Sequence, residues 1–347
     1  MDLGTGRVRR IMRAVLFERF GEPAEVLQVR DVPVPEPRSG EVHVRMLASP
    51  VNPSDLMTVR GVYTRSPSLP ATPGYEGVGI VEAAGGGALA KFMAGRRVAV
   101  LNRKGGNWAE QVVLPAKQVI PLAKDIPLEQ AAMFFVNPAT AYVMTRSVLK
   151  IPRGEWLLQT AAGSALGKMV MALGAYYDFR TLNVVRRPEQ AEELKKQANG
   201  TVIAFDPSRD DPGRLREEVL RQTDGRGVRF AIDPVAGATG SAVVWCLAPG
   251  GRMLVYGTLS GEPLTFSSRD LMTPGASIEG FWLANYMERL RLPGKLGLVR
   301  KITRLMRGGV LVSEVGEEFP LERIAEAVRK SEKPGRGGKV LLRIGRE

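Results

Sequence analysis

Across 347 residues there is one cysteine, Cys246, and one histidine, His43. That scarcity excludes a good deal. No disulfide can form within the chain. A zinc site gathers three or four Cys, His or acidic ligands, and one thiolate with one imidazole supplies neither a four-cysteine structural site nor the usual catalytic sets. Ser-His-Asp or Cys-His catalysis would each have to use His43. In the segment 41–46, Val42, Val44 and Met46 alternate onto one face. His43 falls on the other, which reads as the solvent side of a strand rather than as a general base. Cys246 lies in the apolar stretch 242–247, read as helical, so a buried inert thiol is expected. No apolar run is long enough to span a bilayer. Residues 1–11 lack the apolar core of a secretory leader and read as a loose tail, with Met12 as an alternative start. A cytoplasmic protein without a membrane partner is expected.

Acidic residues are also outnumbered. Asp and Glu total 36 against 49 Lys and Arg, a formal net charge of +13. Such an excess suits anionic partners, whether CoA phosphates, an acidic carrier protein, nucleic acid or a membrane surface. No nucleic-acid motif and no aromatic-interleaved basic run accompanies it, so nucleic acid is not an expected partner. In the most basic stretch, 289–307, Val299, Ile302, Leu305 and Met306 mark an apolar stripe with Arg300, Lys301, Arg304 and Arg307 around it. It reads as the solvated face of a surface helix.

What is present is ordinary in amount and ordered in pattern. With 44% hydrophobic and 24% charged residues, the chain is a globular type large enough for two domains. Residues 12–130 read as strands at 13–17, 41–46, 77–81, 97–101 and 111–114, separated by turn signals at 33–40 and 85–87. From about 135 to 283 strands alternate with helices. Six strands are expected at 156–160, 181–185, 201–205, 230–233, 253–257 and 277–283, with helices at 188–198, 214–222 and 239–247 among the connections. Six parallel strands with crossover helices make a doubly wound sheet. The expected organisation is α/β. A β-rich domain spans 12–135 and 284–347, an inserted six-stranded parallel domain spans 136–283, and a small-molecule cleft lies between them.

The most informative stretch is 156–187. A strand ends at Thr160 and a turn of small residues follows: Ala161, Ala162, Gly163, Ser164, Ala165, Leu166 and Gly167. A helix over 168–177 with apolar Met169, Leu173 and Tyr176 comes next, then a second strand, then Arg186 and Arg187. A strand, a small-residue turn, a helix and a selector position about 20 residues on are the parts of a dinucleotide site. Small residues let a pyrophosphate approach the turn backbone and the helix N-terminus. An acid after the second strand would bond a ribose 2′-hydroxyl, whereas arginines meet a 2′-phosphate. The chain therefore reads as binding NADP(H). The alternative is a plain strand-to-helix turn in another α/β fold.

This order resembles the medium-chain dehydrogenase/reductase superfamily, with a GroES-like catalytic domain followed by a Rossmann domain. The likeness covers about residues 12–344. In its zinc alcohol dehydrogenases, ligands come from a Cys in the loop matched by 51–55 and a His in a Gly-His-Glu segment. Asn52 and Tyr75 stand there instead, so the resemblance too implies no zinc. Among zinc-free branches the chain resembles the mitochondrial-type 2-enoyl thioester reductases, through segments 51–55, 61–63, 69–70, 76–77, 137–142, 183–186 and 280–283. The resemblance implies Tyr63 as proton donor and Asn137 and Thr140 near the nicotinamide. It implies Gly163, Ser164, Ala165, Leu166 and Gly167 at the pyrophosphate, and Arg186 and Arg187 at the 2′-phosphate. Tyr256, Gly257, Thr258, Leu259, Phe281, Trp282 and Leu283 would flank the nicotinamide, with Lys339 as a further contact. It implies NADPH-dependent reduction of an enoyl-CoA or enoyl-carrier thioester by a homodimer. Two other readings stand beside it. One is an NADPH:quinone oxidoreductase of the same branch; the other is a non-catalytic NADPH-binding or nucleic-acid-associated protein using the basic surface.

Overall fold

The computed structural model describes residues 10–63, 66–196, 200–335 and 337–346. Most of the tail expected over 1–11 lies outside them, and Ile11 already belongs to the first strand. The described chain forms two compact units, one from residues up to Phe135 together with Ser313 onward, the other from Val136–Val312.

The first unit starts with β1 (Ile11–Leu16) paired antiparallel to β2 (Gln28–Pro33). It continues through β3 (Glu41–Pro50), β4 (Glu76–Ala84), β5 (Arg97–Leu101), β6 (Gln111–Pro115) and β7 (Val119–Pro121). The β-branched content of β3 to β7 favours strands, and Val42, Val44 and Met46 of β3 sit with Val81, Val98, Val100 and Leu114 in one core cluster. The solvent-side placement of His43 does not hold. β3 pairs with β4 and β6, and further along with a strand from the chain's far end. Residues on both faces of β3 are buried, His43 among them, and its Nε2 has no hydrogen-bond partner among the described residues. Alternation identifies one core-facing side; it cannot tell that a central strand is covered on the other side as well.

The second unit holds β8 (Trp156–Gln159), β9 (Arg180–Val185), β10 (Thr201–Ala204), β11 (Val228–Asp233), β12 (Leu247–Val255) and β13 (Ser277–Gly280). All pairings are parallel, in the order β10-β9-β8-β11-β12-β13. This is the doubly wound order, with its switch point at β8. Leu158, Leu182, Val184, Ala231 and Met253 fill the core. Helix Ala165–Tyr177 buries Met169 and Leu173, while Tyr176, read as part of its apolar face, is 56% exposed. Helix Gly237–Val244 ends before Cys246, which occupies the turn into β12. The thiol is buried, donates to the Ala242 carbonyl at 3.3 Å, and is pushed up to about 12 by that burial. β13 stops at Gly280 rather than 283, and Leu283 opens helix Leu283–Arg289.

Residues 284–312, expected with the first unit, belong to the second. Helices Leu283–Arg289 and Leu292–Arg307 pack against helix Val136–Tyr142, and Leu298, Ile302, Leu305 and Met306 are buried. The apolar stripe is legible in the sequence; the surface it covers is not. Strands β14 (Val315–Pro320) and β15 (Lys339–Arg343) then return to the first unit, completing the sheet β14-β15-β3-β4-β5-β7 with β6 also on β3. No helix among the described residues is long and apolar enough to cross a membrane.

Candidate functional site

In the second unit, most of the residues singled out from sequence collect at the carboxyl ends of the parallel strands, where ligands of doubly wound sheets bind. After β8 the chain passes through Ala161 at φ +49°, a left-handed turn. Ser164 caps helix Ala165–Tyr177, its Oγ accepting from Gly167 N at 3.1 Å. A Cβ on Gly167 would lie 2.4 Å from the Ala162 carbonyl oxygen, so glycine is what lets the helix start against the turn. Leu166 and Gly167 are themselves buried. At this helix start the first N–H groups lack intrahelical partners and the dipole favours an anion.

Polar side chains inside the sheet hold this edge together. Gln159 Nε2 donates to the Gly167 carbonyl at 3.0 Å and to Asn183 Oδ1 at 2.7 Å, and Asn183 Nδ2 donates to the Thr201 carbonyl at 3.1 Å. Asp233, buried at the end of β11, accepts from Thr160 Oγ1, from Ala236 N at 2.7 Å and from Val235 N at 3.1 Å. Burial raises its carboxyl pKa against those three bonds. Tyr256 N and Leu259 N donate to the Asp233 and Pro234 carbonyls, both at 2.9 Å, and a Cβ on Gly257 would meet the Pro234 oxygen at 2.8 Å. The 256–259 loop is thus laid directly on the end of β11. Phe281 N donates to the Val255 carbonyl at 2.8 Å, and Trp282 caps helix Leu283–Arg289.

Arg186 and Arg187 follow β9, with Arg187 at the N-cap of helix Pro188–Lys195. Arg186 is exposed and Arg187 half-buried. Among the described residues neither guanidinium has a hydrogen bond or ion pair. Asp206, in the loop after β10, is held below the usual carboxylate range by hydrogen bonds from Ser208, then by the charges of Arg209 and Arg186. Helix Val136–Tyr142 carries half-buried Asn137 and buried Thr140.

The first unit contains a second polar cluster. Asn52 and Asp55 form a capping box on helix Pro53–Val59, with Asn52 N donating to Asp55 Oδ2 at 2.8 Å. Tyr75 N donates to Asp55 Oδ1 at 3.1 Å. Asp55 is fully buried, which pushes its carboxyl up to about 7 despite those two bonds and the Lys339 charge. Asn52 Nδ2 donates to Glu76 Oε1 at 2.9 Å, while the buried Lys339 ammonium donates to Asn52 Oδ1 and to the Val51 carbonyl. Thr58 Oγ1 and the Tyr75 hydroxyl share a hydrogen bond of 2.7 Å, and the Tyr63 ring lies against Tyr75 with centroids 5.8 Å apart.

These residues do not fit a zinc ion. Among the described residues no group of three or more His, Cys, Asp or Glu side chains is arranged to hold a metal. Both Asn52 and Tyr75 are already engaged by protein partners. Sequence reading gave no role to Asp55, Glu76, Gln159 or Asp233. The Asn52-x-x-Asp55 spacing ahead of Leu56 carried a capping-box signal. Gln159 and Asn183 were visible as polar breaks in otherwise buried strands.

Two family profiles match the chain: alcohol dehydrogenase GroES-like domain over residues 38–124, and zinc-binding dehydrogenase over residues 163–295. The mouse mitochondrial enoyl-[acyl-carrier-protein] reductase is 32% identical over 338 residues, covering 95% of this chain and 88% of the mouse protein. A Bacillus thuringiensis crystal structure, provisionally named an NADPH:quinone reductase, superposes with TM-score 0.88 at 32% identity, covering 97% of this chain and 100% of that one. The solved ETR1P/NADP/crotonyl-CoA complex gives TM-score 0.81 at 26% identity, covering 96% and 100%.

Proposed function

Because the chain belongs to the medium-chain dehydrogenase/reductase superfamily, an oxidoreductase family, we propose that it reduces the carbon–carbon double bond of 2-enoyl thioesters with NADPH. The residues at the carboxyl edge of the sheet fit such a cofactor. Small side chains at 161–165 and Gly167 keep Cβ bulk off the turn, so the helix N–H groups face the pyrophosphate. Arg186 and Arg187 hold the 2′-phosphate, which no acid opposes on the two positions after β9. When bound, NADPH supplies the hydride for the β carbon of the acceptor.

Tyr63 completes the reaction by giving its phenolic proton to the α carbon. A phenol, with an ordinary pKa of about 10, keeps that proton at neutral pH. Tyr75, tied to Thr58 and Asp55, fixes the ring against which Tyr63 packs. Hydrogen-bond donors rather than a metal hold the thioester oxygen as charge develops on it. The observation that supports this reading is that Asn52 and Tyr75, which the resemblance puts at the metal-ligand positions, are engaged by Lys339, Glu76 and Thr58, with the Tyr63 ring lying against Tyr75.

The test is loss of NADPH absorbance with crotonyl-CoA and, in parallel, with benzoquinone. Turnover of the thioester well above that of the quinone is expected. Rapid quinone reduction with an inert thioester would replace this reading by the second one, quinone reduction, which the likeness to the Bacillus thuringiensis structure supports.

A further inference from the structure

Helix Pro53–Val59 ends in a closed C-terminal turn. Gly61 N donates to the Thr58 carbonyl and Val62 N to the Met57 carbonyl, both at 3.0 Å, the paired bonds of a Schellman motif. That motif needs a left-handed residue, which Gly61 supplies at φ +75°. A Cβ there would meet the Phe20 ring at 3.0 Å, and Phe20 in turn lies on Phe17 with centroids 6.0 Å apart. The chain thus leaves the helix against the Phe20 ring, and two residues later it reaches Tyr63.

Arg60 is the C-cap of this helix. Its Nε and Nη2 donate to the two carboxylate oxygens of Glu22 at 3.2 and 2.9 Å, and Nη2 also donates to Glu332 Oε1 at 2.7 Å. Glu22 is the N-cap of helix Pro23–Val26, and Glu332 is the last residue of helix Ile324–Glu332. One guanidinium therefore ties the helix end to segments 38 and 272 residues away. The Glu22 carboxyl is held below the usual carboxylate range, foremost by its hydrogen bond from Arg60. Gly21 N adds a bond to the Val59 carbonyl at 3.1 Å. The turn held this way carries both sides of the tyrosine contact. Thr58, bonded to the Tyr75 hydroxyl at 2.7 Å, lies just before Arg60, and Tyr63, whose ring meets Tyr75, lies just after it.

We infer that Arg60 is a positioning residue: by holding the helix end to Glu22 and Glu332, it sets where the Tyr63 hydroxyl stands for proton transfer. The inference rests on the enoyl-thioester reading above and adds a residue that acts through Tyr63. Partly exposed ion pairs contribute little to overall stability. Displacing a reacting group by about 1 Å, by contrast, can cost on the order of 10²-fold in rate. Loss of the tie belongs in kcat rather than in the melting temperature. Lysine is a partial substitute, since its ammonium keeps the charge but lacks the planar fork that grips both oxygens of Glu22.

The experiment measures crotonyl-CoA reduction by NADPH in Arg60→Gln and Tyr63→Phe, singly and together. Arg60→Gln is expected to lower kcat about tenfold, with KM, the NADPH dissociation constant and the melting temperature close to the parent's. Arg60→Lys should recover part of that loss. In the Tyr63→Phe background, Arg60→Gln should change kcat by less than about twofold, because the group it positions has been removed. A parental kcat in Arg60→Gln overturns the proposal. So does an equal fold-loss in both backgrounds, which is what general damage to the fold gives. If Arg60→Gln melts below the parent, the exposed pair Glu22→Gln/Glu332→Gln replaces it under the same criteria. Hydrogen exchange gives a readout independent of turnover. The amides of Gly61, Val62 and Tyr63 should exchange about tenfold or more faster in Arg60→Gln, and unchanged exchange overturns the proposal. Should Tyr63→Phe match the parental rate, or the parent leave crotonyl-CoA unreduced, the reaction assignment fails by itself. The placing of the Tyr63 segment by Arg60 is then judged on exchange alone: acceleration confined to these three amides sustains it, and its absence ends it.

Discussion

Tyr63 is one of seven tyrosines, and its part in the proposed reaction depends on one oxygen atom. Tyr63→Phe keeps the ring contact with Tyr75 and deletes that oxygen. The expected result is a fall in kcat of about 10²–10⁴-fold, the usual worth of general acid help, with the NADPH dissociation constant unchanged in fluorescence titration. A Phe variant that turned over crotonyl-CoA at the parental rate would remove Tyr63 from the mechanism. Asp55 leads to a different measurement. A carboxyl whose pKa is about 7 in the folded chain, against about 4 unfolded, binds its proton more tightly when folded. It therefore favours folding in acid, and that contribution is lost as pH rises through about 7. Urea unfolding of the parent and of Asp55→Asn should show the parent losing stability relative to the variant between about pH 4 and pH 7, with the two profiles parallel above that. Parallel profiles below that limit too would mean that Asp55 is not protonated there. Sequence could name Tyr63 only through resemblance, since a tyrosine in a glycine-flanked loop has no pattern of its own. Asp55 received no role from sequence, because the complete burial of that carboxylate arises from chain segments distant in sequence, Tyr75 and Lys339 among them.

Among the elements, the β8–turn–helix unit followed by β9 was the most legible because its constraints are local. An apolar strand, a run of small residues and an apolar-periodic helix each specify one conformation, and the order matches the structure to within a few residues. Gly167 shows what the tight turn demands. Gly167→Ala would force a methyl group against the Ala162 carbonyl at 2.4 Å. Since the obstacle is backbone, a loss of about 1–3 kcal/mol is expected, measured as a lower urea midpoint with an unchanged slope. Arg186 and Arg187 follow β9 directly. Neither guanidinium has a hydrogen bond or ion pair among the described residues, so replacing both with alanine should leave the fold intact. The expected loss is about 10²-fold in NADPH affinity and under about threefold for NADH, because only the former carries the 2′-phosphate. Equal losses for the two cofactors would refute the selector role. The strand ends were less legible than the strands themselves. Phe281, Trp282 and Leu283 continue the apolar character of β13, yet the chain leaves the sheet at Gly280 and Trp282 caps a helix.

At the scale of the whole chain, the two-part organisation was visible as a change of rhythm from strands punctuated by turns to strands alternating with helices. Its second boundary was not. The 284–312 segment has the composition of a surface helix, and amphipathicity states that one face is covered without saying by what. The structure gives that face to helix Val136–Tyr142, so the second unit runs unbroken from Val136 to Val312. The first unit, by contrast, is assembled from both ends of the chain, because β15 pairs with β3 and β14 with β15. This asymmetry makes a prediction about autonomy. All six strands of the second unit pair only with one another, and its core cluster is drawn from its own residues. A fragment of residues 136–312 should therefore unfold cooperatively on its own and still prefer NADPH to NADH, as the arginines after β9 require. A fragment ending at 283 lacks the two helices over Val136–Tyr142 and should be measurably less stable, exposing Leu298's partners to water at a cost on the order of several kcal/mol. Thermal melts of the two fragments by circular dichroism, with and without each cofactor, decide it. A non-cooperative melt for 136–312, or equal stability for both fragments, would show that residues 284–312 do not complete this unit.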